Sequence, residues 1–451
     1  MCNIKWRKEG HRIFGAMGVL ALLWVLVGYI LYPAIKTLMV SLTNDGTFSL
    51  IHYVELLTSG ASLAVLRNSI VLGALTVVVC GVIGTSLAFL VHYFKFPSKN
   101  LVDKLLLLPI MLPGIIIVFA FVQLYGESGL FTKTLEAVLG LEKAPYNFSG
   151  LPGILFVHAY TQYVYFYITV SIAIKHIDYS VIESARNLGA SRIKIFTSVI
   201  WPFITPALIT ASAVTFMTGI GSFTAPSVIG GGFKVLTTQI LLSKANNYMD
   251  IAATQVMILM IISLVIFFFF RWYEKRKAFG GSVKSVAIRP IKIDNRFIKA
   301  LMLLFAGLLI FTILLPVLTI MALSFVKSGS WMISIYPKEF SLENYTAIFS
   351  KSRTFAPFFN SVSMSLTASV GCLSIAIPAS YMIDKTKLNI RWLVEFLVML
   401  PWAMPASAIA INIINANAAP NIFSFNRVLV GTSLLLPLGY VIRSIPIMIK
   451  T

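Results

Sequence analysis

Charge is scarce in this sequence. Only 12% of its 451 residues are Asp, Glu, Lys or Arg, about half the share of a soluble globular domain. Acidic residues are the scarcer sign, 16 against 36 Lys and Arg, which leaves a formal net charge of +20. Cysteine is nearly absent: Cys2, Cys80 and Cys372 give no disulfide framework. Cys2 has no apolar stretch before it and is not a lipid-attachment cysteine. No Gly-x4-Gly-Lys-Ser/Thr, His-Glu-x-x-His, Cys-x-x-Cys or Gly-x-Ser-x-Gly pattern occurs. The chain therefore carries no ATPase site, no metal centre and no nucleophile elbow of its own. Its five histidines are scattered, and only His158 lies in an apolar run, where a hydrogen-bonded core role is expected. A basic balance can mark a nucleic-acid binder, but 58% apolar content excludes the water-soluble body such a binder needs.

What is abundant is long apolar sequence. Ten segments approach the roughly 20 residues that cross a bilayer: Ile13–Ile35, Ser69–Leu90, Leu101–Leu124, Ile154–Ile174, Pro206–Val228, Ala252–Phe270, Phe297–Phe325, Ser361–Ile383, Trp392–Ile414 and Leu429–Ile449. Their cores hold almost no charge, which argues against a proton-coupled pump. Alternating the loops between two sides places 25 Lys and Arg with the N-terminus and 11 opposite, with Arg443 and Lys450 counted on the first side. Cationic loops mark the cytoplasm, so the N-terminus is expected there. Nine of the cations lie in 271–299, a basic linker with Gly280-Gly281 at its middle, which also suits anionic membrane lipid.

The chain repeats itself. Phe48-Ser49-Leu50-x-x-Tyr53 recurs as Phe340-Ser341-Leu342-x-x-Tyr345, an offset of 292. The same register pairs Asn68-Ser69 with Asn360-Ser361, Cys80 with Cys372, Leu108-Pro109 with Leu400-Pro401 and Pro113 with Pro405. Six spans precede the linker, so both repeats start on the same side and are parallel. The divisions read as 1–270, the linker 271–299, and 300–451. Pro113 and Pro405 each remove a backbone donor at lipid depth. They are expected to bend their spans and shape a pathway.

One loop is richer than a connection requires. In 178–202, Ser180 followed by Glu183 reads as a capping box. Gly189 suits the left-handed end of a short helix, and Ser191 can cap a second helix running to Pro202. The expected product is a helix–glycine–helix knob on the cytoplasmic side.

This stretch resembles the signature of binding-protein-dependent ABC transporter permeases, Glu-Ala-Ala, three residues, Gly, nine residues, Ile-x-Leu-Pro. Here it reads Glu183-Ser184-Ala185, Gly189, then Val199-Ile200-Trp201-Pro202, with Ser184, Val199 and Trp201 departing from the consensus. The resemblance implies an all-α polytopic membrane protein of the bacterial inner membrane, two parallel repeats of a six-helix permease unit. It implies that Glu183, Ser184, Ala185, Arg186, Gly189, Arg192 and Pro202 belong to a coupling helix docked on a cytoplasmic ABC ATPase dimer. ATP would be used by that partner, with no cofactor on this chain. A periplasmic or lipid-anchored binding protein would deliver the solute. Two halves on one chain look most like ferric-iron permeases, while thiamine, phosphonate or polyamine importers are alternatives. Gly221-Ser222-Phe223-Thr224-Ala225-Pro226 resembles the fifth-span end of the iron-type members. Thr215, Ser222 and Thr224 are thus pathway candidates, alongside Pro113 and Pro405.

By the repeat offsets a second coupling motif falls at about 461 to 475, beyond Thr451. The second repeat is expected to be incomplete, with four spans and a C-terminal truncation. The rival class is a secondary transporter of the major-facilitator type. It would need an Asp-Arg-rich loop after the second span, which 92–104 lacks.

Overall fold

The computed structural model describes residues 17–44, 46–277, 291–292, 295–331, 336–385 and 390–450. Cys2, the basic N-terminal tail and the linker positions Gly280, Gly281, Lys284 and Arg289 lie outside the described residues. Helix dominates, as lipid demands of a backbone that must satisfy its own polar groups. Strand is confined, among the described residues, to two-residue ladders and one isolated bridge, Val326 with Phe340. The ladders pair Thr43–Asn44 with Thr47–Phe48, and Phe94–Lys95 with Ile291–Lys292.

The principal helices are α1 (Met17–Ser41), α2 (Gly60–Tyr93), α3 (Gly114–Tyr125), α4 (Gly150–Lys175), α5 (Tyr179–Asn187), α6 (Arg192–Ile220) and α7 (Thr224–Ile229). They continue with α8 (Met249–Lys277), α9 (Arg296–Ser324), α10 (Ser352–Lys385), α11 (Arg391–Ala403), α12 (Ala406–Asn417) and α13 (Leu435–Lys450).

Among the described residues, seven helices are long and apolar enough to cross a membrane, or eight when α11 and α12 count as one bent span. The apolar runs of the sequence suggest ten, and the differences have local causes. The expected span Ile154–Ile174 lies inside α4, whose 26 residues include His158, Gln162 and four tyrosines that lower its hydropathy. Leu429–Ile449 forms helix only from Leu435. Leu101–Leu124 is interrupted before Pro113, which caps α3 in extended conformation. Pro206–Val228 ends early because the chain leaves helix at Gly221 and restarts at Thr224.

The chain divides into two compact units: Met1–Leu63 with Gln239–Leu264 and Phe349–Thr451, and Ala64–Thr238 with Val265–Ile348. These units cut across the repeat. In the first, α1 packs with second-half helices through Leu22, Leu26 and Ile30, in one core with Cys372, Leu397, Ile413 and Val441. Polar anchors reinforce it: the Tyr29 hydroxyl donates to Phe423 O at 2.8 Å, and Asn415 Nδ2 to Thr37 Oγ1 at 3.2 Å. In the second unit, α9 packs with first-half helices, placing Ala306 and Ile313 in a core with Cys80, Val91, Tyr163 and Ile174. The Tyr160 hydroxyl donates to Ile313 O at 2.7 Å. Each half thus lends its opening span to the unit that holds most of the other half.

Candidate functional site

The knob is built by three local devices. Asp178 caps α5, its carboxylate accepting from Ser180 N at 3.0 Å. Ser180 is therefore inside the helix, and the expected Ser180–Glu183 capping box does not form. A carboxylate at the helix start also meets the positive end of the helix dipole, which explains why Asp178 takes the role. At the other end Gly189 has φ +80°. Its N–H donates to Arg186 O at 2.9 Å and Ala190 N–H to Ala185 O at 3.0 Å, the paired bonds of a Schellman turn. Ser191 Oγ then accepts from Lys194 N at 3.3 Å and starts α6.

The second helix does not stop at Pro202. It runs on as part of α6 to Ile220. A π turn at Phe196–Ile200 precedes the proline, and such a wider turn absorbs the loss of one backbone donor. The same solution recurs in α1, where a π turn at Val27–Leu31 precedes Pro33. The knob is consequently continuous with a membrane span.

Burial sorts the expected coupling residues. Ile182 and Ile195 are buried and pin the knob to the core of the second unit, with Ala185 and Ala190 packed beside them. Glu183, Ser184, Arg186 and Arg192 are exposed, as are the apolar Val181, Leu188 and Ile193, the last two at 87% and 77%. Arg186 and Arg192 border one cleft of 930 Å³ with Phe89, Tyr93 and Phe196. Pro202 belongs to the root of the span and Ala185 faces inward. The outward face is therefore Glu183, Ser184, Arg186 and Arg192 around three aliphatic side chains.

A second site sits where spans break. In the Ala64–Thr238 unit, a cavity of 270 Å³ lies between the start of α3, the middle of α4 and the gap between α6 and α7. His158, Thr161, Gln162 and Tyr165 line it from α4, and Thr218, Ser222 and Thr224 from the broken fifth span. Thr76 Oγ1 donates to Leu72 O at 2.7 Å, so it must accept from His158 Nδ1–H at 2.8 Å. His158 Nε2, 2.9 Å from Ser222 Oγ, is then the acceptor for the serine proton. Thr218 donates to Gln162 Oε1 at 2.8 Å. The result is a neutral wall of hydroxyl, amide and imidazole groups.

Of the expected pathway residues, Ser222 and Thr224 line this cavity. Pro113 sets the break whose neighbours Leu112 and Gly114 line it. Thr215 is fully buried with its hydroxyl unpartnered, away from the lining. Sequence reasoning missed His158, Gln162 and Thr218. A signal existed: His158, Thr161, Gln162 and Tyr165 follow the i, i+3, i+4, i+7 spacing of one helix face.

The other unit holds a counterpart. Pro405 caps α12, and α11 and α12 meet there at a bend of 115°. A cavity of 310 Å³ opens beside the bend, lined by Ala406, Ile409, Ala410, Leu436, Tyr440 and Arg443 among others. Arg443 Nη1 donates to Met404 O at 3.1 Å.

Comparison with known proteins gives four findings. Residues 81–279 match the family described as binding-protein-dependent transport system inner membrane component. A probable ABC transporter permease of Sinorhizobium fredii, y4fN, is 29% identical over 97% of this chain and 78% of its own. The ferric transport system permease FbpB of Actinobacillus pleuropneumoniae is 24% identical over 99% of this chain, which spans 64% of that relative's length. Among solved structures, a bacterial alginate ABC transporter, in complex with its alginate pentasaccharide-bound periplasmic protein, superposes with a TM-score of 0.52 at 20% identity. That match covers 61% of this chain and 99% of the other, and it supports the fold.

Proposed function

We propose that this chain, which belongs to the permease family of binding-protein-dependent ABC transporters, imports ferric iron. Similarity to a ferric permease along nearly the whole chain supports that cargo. The observation that carries the coupling role is the knob itself: a rigid Schellman turn presenting exposed Glu183, Arg186, Leu188 and Ile193 at the root of α6. Such a surface, with charged and aliphatic groups held by buried Ile182 and Ile195, suits a protein partner. In this reading the partner is a cytoplasmic ATPase dimer, and the N-terminus is cytoplasmic. Because the knob is continuous with α6, a displacement of the ATPase surface pushes directly on the span that ends at the His158–Ser222 cavity. A binding protein releases solute on the opposite face.

Cells lacking other iron importers and expressing this permease with its ATPase and binding protein should take up radiolabelled ferric iron in an ATP-dependent manner. Uptake of sulfate or thiamine with no uptake of iron would refute the cargo while leaving the importer reading intact.

A further inference from the structure

The cleft of 930 Å³ behind the knob is walled by three helix faces, all within the Ala64–Thr238 unit. On α5, Tyr179, Ile182 and Arg186 follow the i, i+3, i+7 spacing of one face. On α6, Arg192, Ile195 and Phe196 do so at i, i+3, i+4, and on α2 Phe89 and Tyr93 stand at i, i+4. Val181, Ser184 and Leu188 lie off the α5 stripe and remain available to a protein partner.

The level of the cleft follows from its aromatic side chains. Phe89 stands at the end of the apolar run Ser69–Leu90, and Tyr93 is one turn further, at the end of α2. Ring contacts join Phe89 to Tyr93 at 6.4 Å, Phe89 to Phe196 at 5.7 Å and Phe196 to Trp201 at 6.0 Å. Both Phe196 and Trp201 are exposed. A string of rings where two spans leave their apolar runs is the belt of a membrane–water interface.

The charge above this floor is of one sign. Arg186 and Arg192 border the cleft, and no Asp or Glu is among its lining residues. Among the described residues neither guanidinium has an ion pair or a hydrogen bond, and the Tyr93 and Tyr179 hydroxyls have no partner. Two like charges at one cleft repel, and an anion seated between them removes that cost.

We propose that this cleft binds an anionic phospholipid of the leaflet on the knob's side, Arg186 and Arg192 holding the headgroup phosphate over the aromatic floor. Guanidinium groups take phosphate oxygens in paired, charge-assisted hydrogen bonds, and basic pockets between membrane helices suit such headgroups. The apolar floor of Phe89, Ile195, Phe196 and Ile200 selects a lipid over a soluble phosphate, because it offers surface for the upper acyl chains. A lipid seated there ties the knob to α2 as well as to α6. The proposal goes beyond the coupling role and does not depend on it.

The test uses the full chain in nanodiscs of phosphatidylcholine doped with phosphatidylglycerol that carries a diazirine near the glycerol end of one acyl chain. After illumination, adducts are mapped by mass spectrometry. They should concentrate on the peptides holding Phe89, Tyr93 and Phe196. Adducts there should fall about tenfold or more in the double variant Arg186→Gln with Arg192→Gln, and hold in Arg186→Lys with Arg192→Lys, which guards against misfolding of the glutamine variant. Equal labelling of the cleft by a phosphatidylcholine bearing the same diazirine would overturn the proposal, as would adducts that survive both glutamines or vanish with both lysines. Loss of adducts under millimolar glycerol 3-phosphate would also overturn it, by making the occupant a soluble anion. No ATPase, binding protein or solute is present, so the result stands apart from the tests of coupling and cargo.

Discussion

Around Gly114 a broken span meets neutral hydrogen-bonding side chains; around Ala406 the matching break meets aliphatic groups and one guanidinium. The backbone device is shared, since Pro113 and Pro405 both cap the restarting helix in extended conformation. The chemistry is not. Thr76, His158, Tyr160, Tyr163 and Tyr167 of the first repeat each place a polar atom in a hydrogen bond. Their register partners are Ala368, at the offset of 292, and Leu436, Leu438, Val441 and Ile445, at the offset of 278 that pairs Gly153 with Gly431. Conversely, α12 carries Asn412, Asn415 and Asn417 where α3 has Ala120, Gln123 and Tyr125. A duplicated scaffold thus keeps the features that bend spans and varies the groups that line the breaks.

The sharpest way to break this comparison is at a helix crossing. A Cβ on Gly84 would lie 2.4 Å from Tyr163 O and 2.6 Å from Phe166 Cβ, whereas its partner in the second repeat is already Ala376, buried without difficulty. Gly84→Ala should cost about 3 kcal/mol by overpacking, read as a lowered thermal midpoint in detergent. Ala376→Gly should cost about 1 kcal/mol, the helix-propensity difference. Equal effects would mean that the two crossings are packed alike.

A smaller effect is expected at the buried imidazole. His158→Leu, which imports the second-repeat residue, strips partners from Thr76 and Ser222 and should cost about 2 kcal/mol. Leu436→Ala, at an exposed position, should stay within about 0.5 kcal/mol. Smaller still, Tyr160→Phe removes one hydrogen bond to Ile313 O. It should lower stability by about 1 kcal/mol, and a neutral result would remove that bond from what holds α9 in place.

How much of this was legible beforehand varies with the physical signal. The knob was readable because caps and glycine turns depend on residues close in sequence. Gly189 and Ser191 take the expected roles, and the error at Asp178 is a two-residue shift between competing caps. The prolines announced breaks, but not the 115° between α11 and α12, which depends on packing in three dimensions. Pro202 misled because a π turn upstream is invisible to local propensity. His158 looked like a lone core histidine; its ring nitrogens are engaged by residues 82 and 64 positions away. The placement of α1 and α9 in exchanged units was likewise beyond any local pattern.

The central claim is that the exposed face of the knob couples this permease to an ATPase. Membranes carrying the chain should sediment a separately expressed cytoplasmic ABC ATPase, and Glu183→Lys, at an exposed position, should weaken that binding about tenfold without changing the thermal midpoint. Gly189→Val, which forces a β-branched residue to φ +80°, should weaken it at least as much. ATPase recruitment that is unchanged in both variants, with the chain folded, would contradict the account.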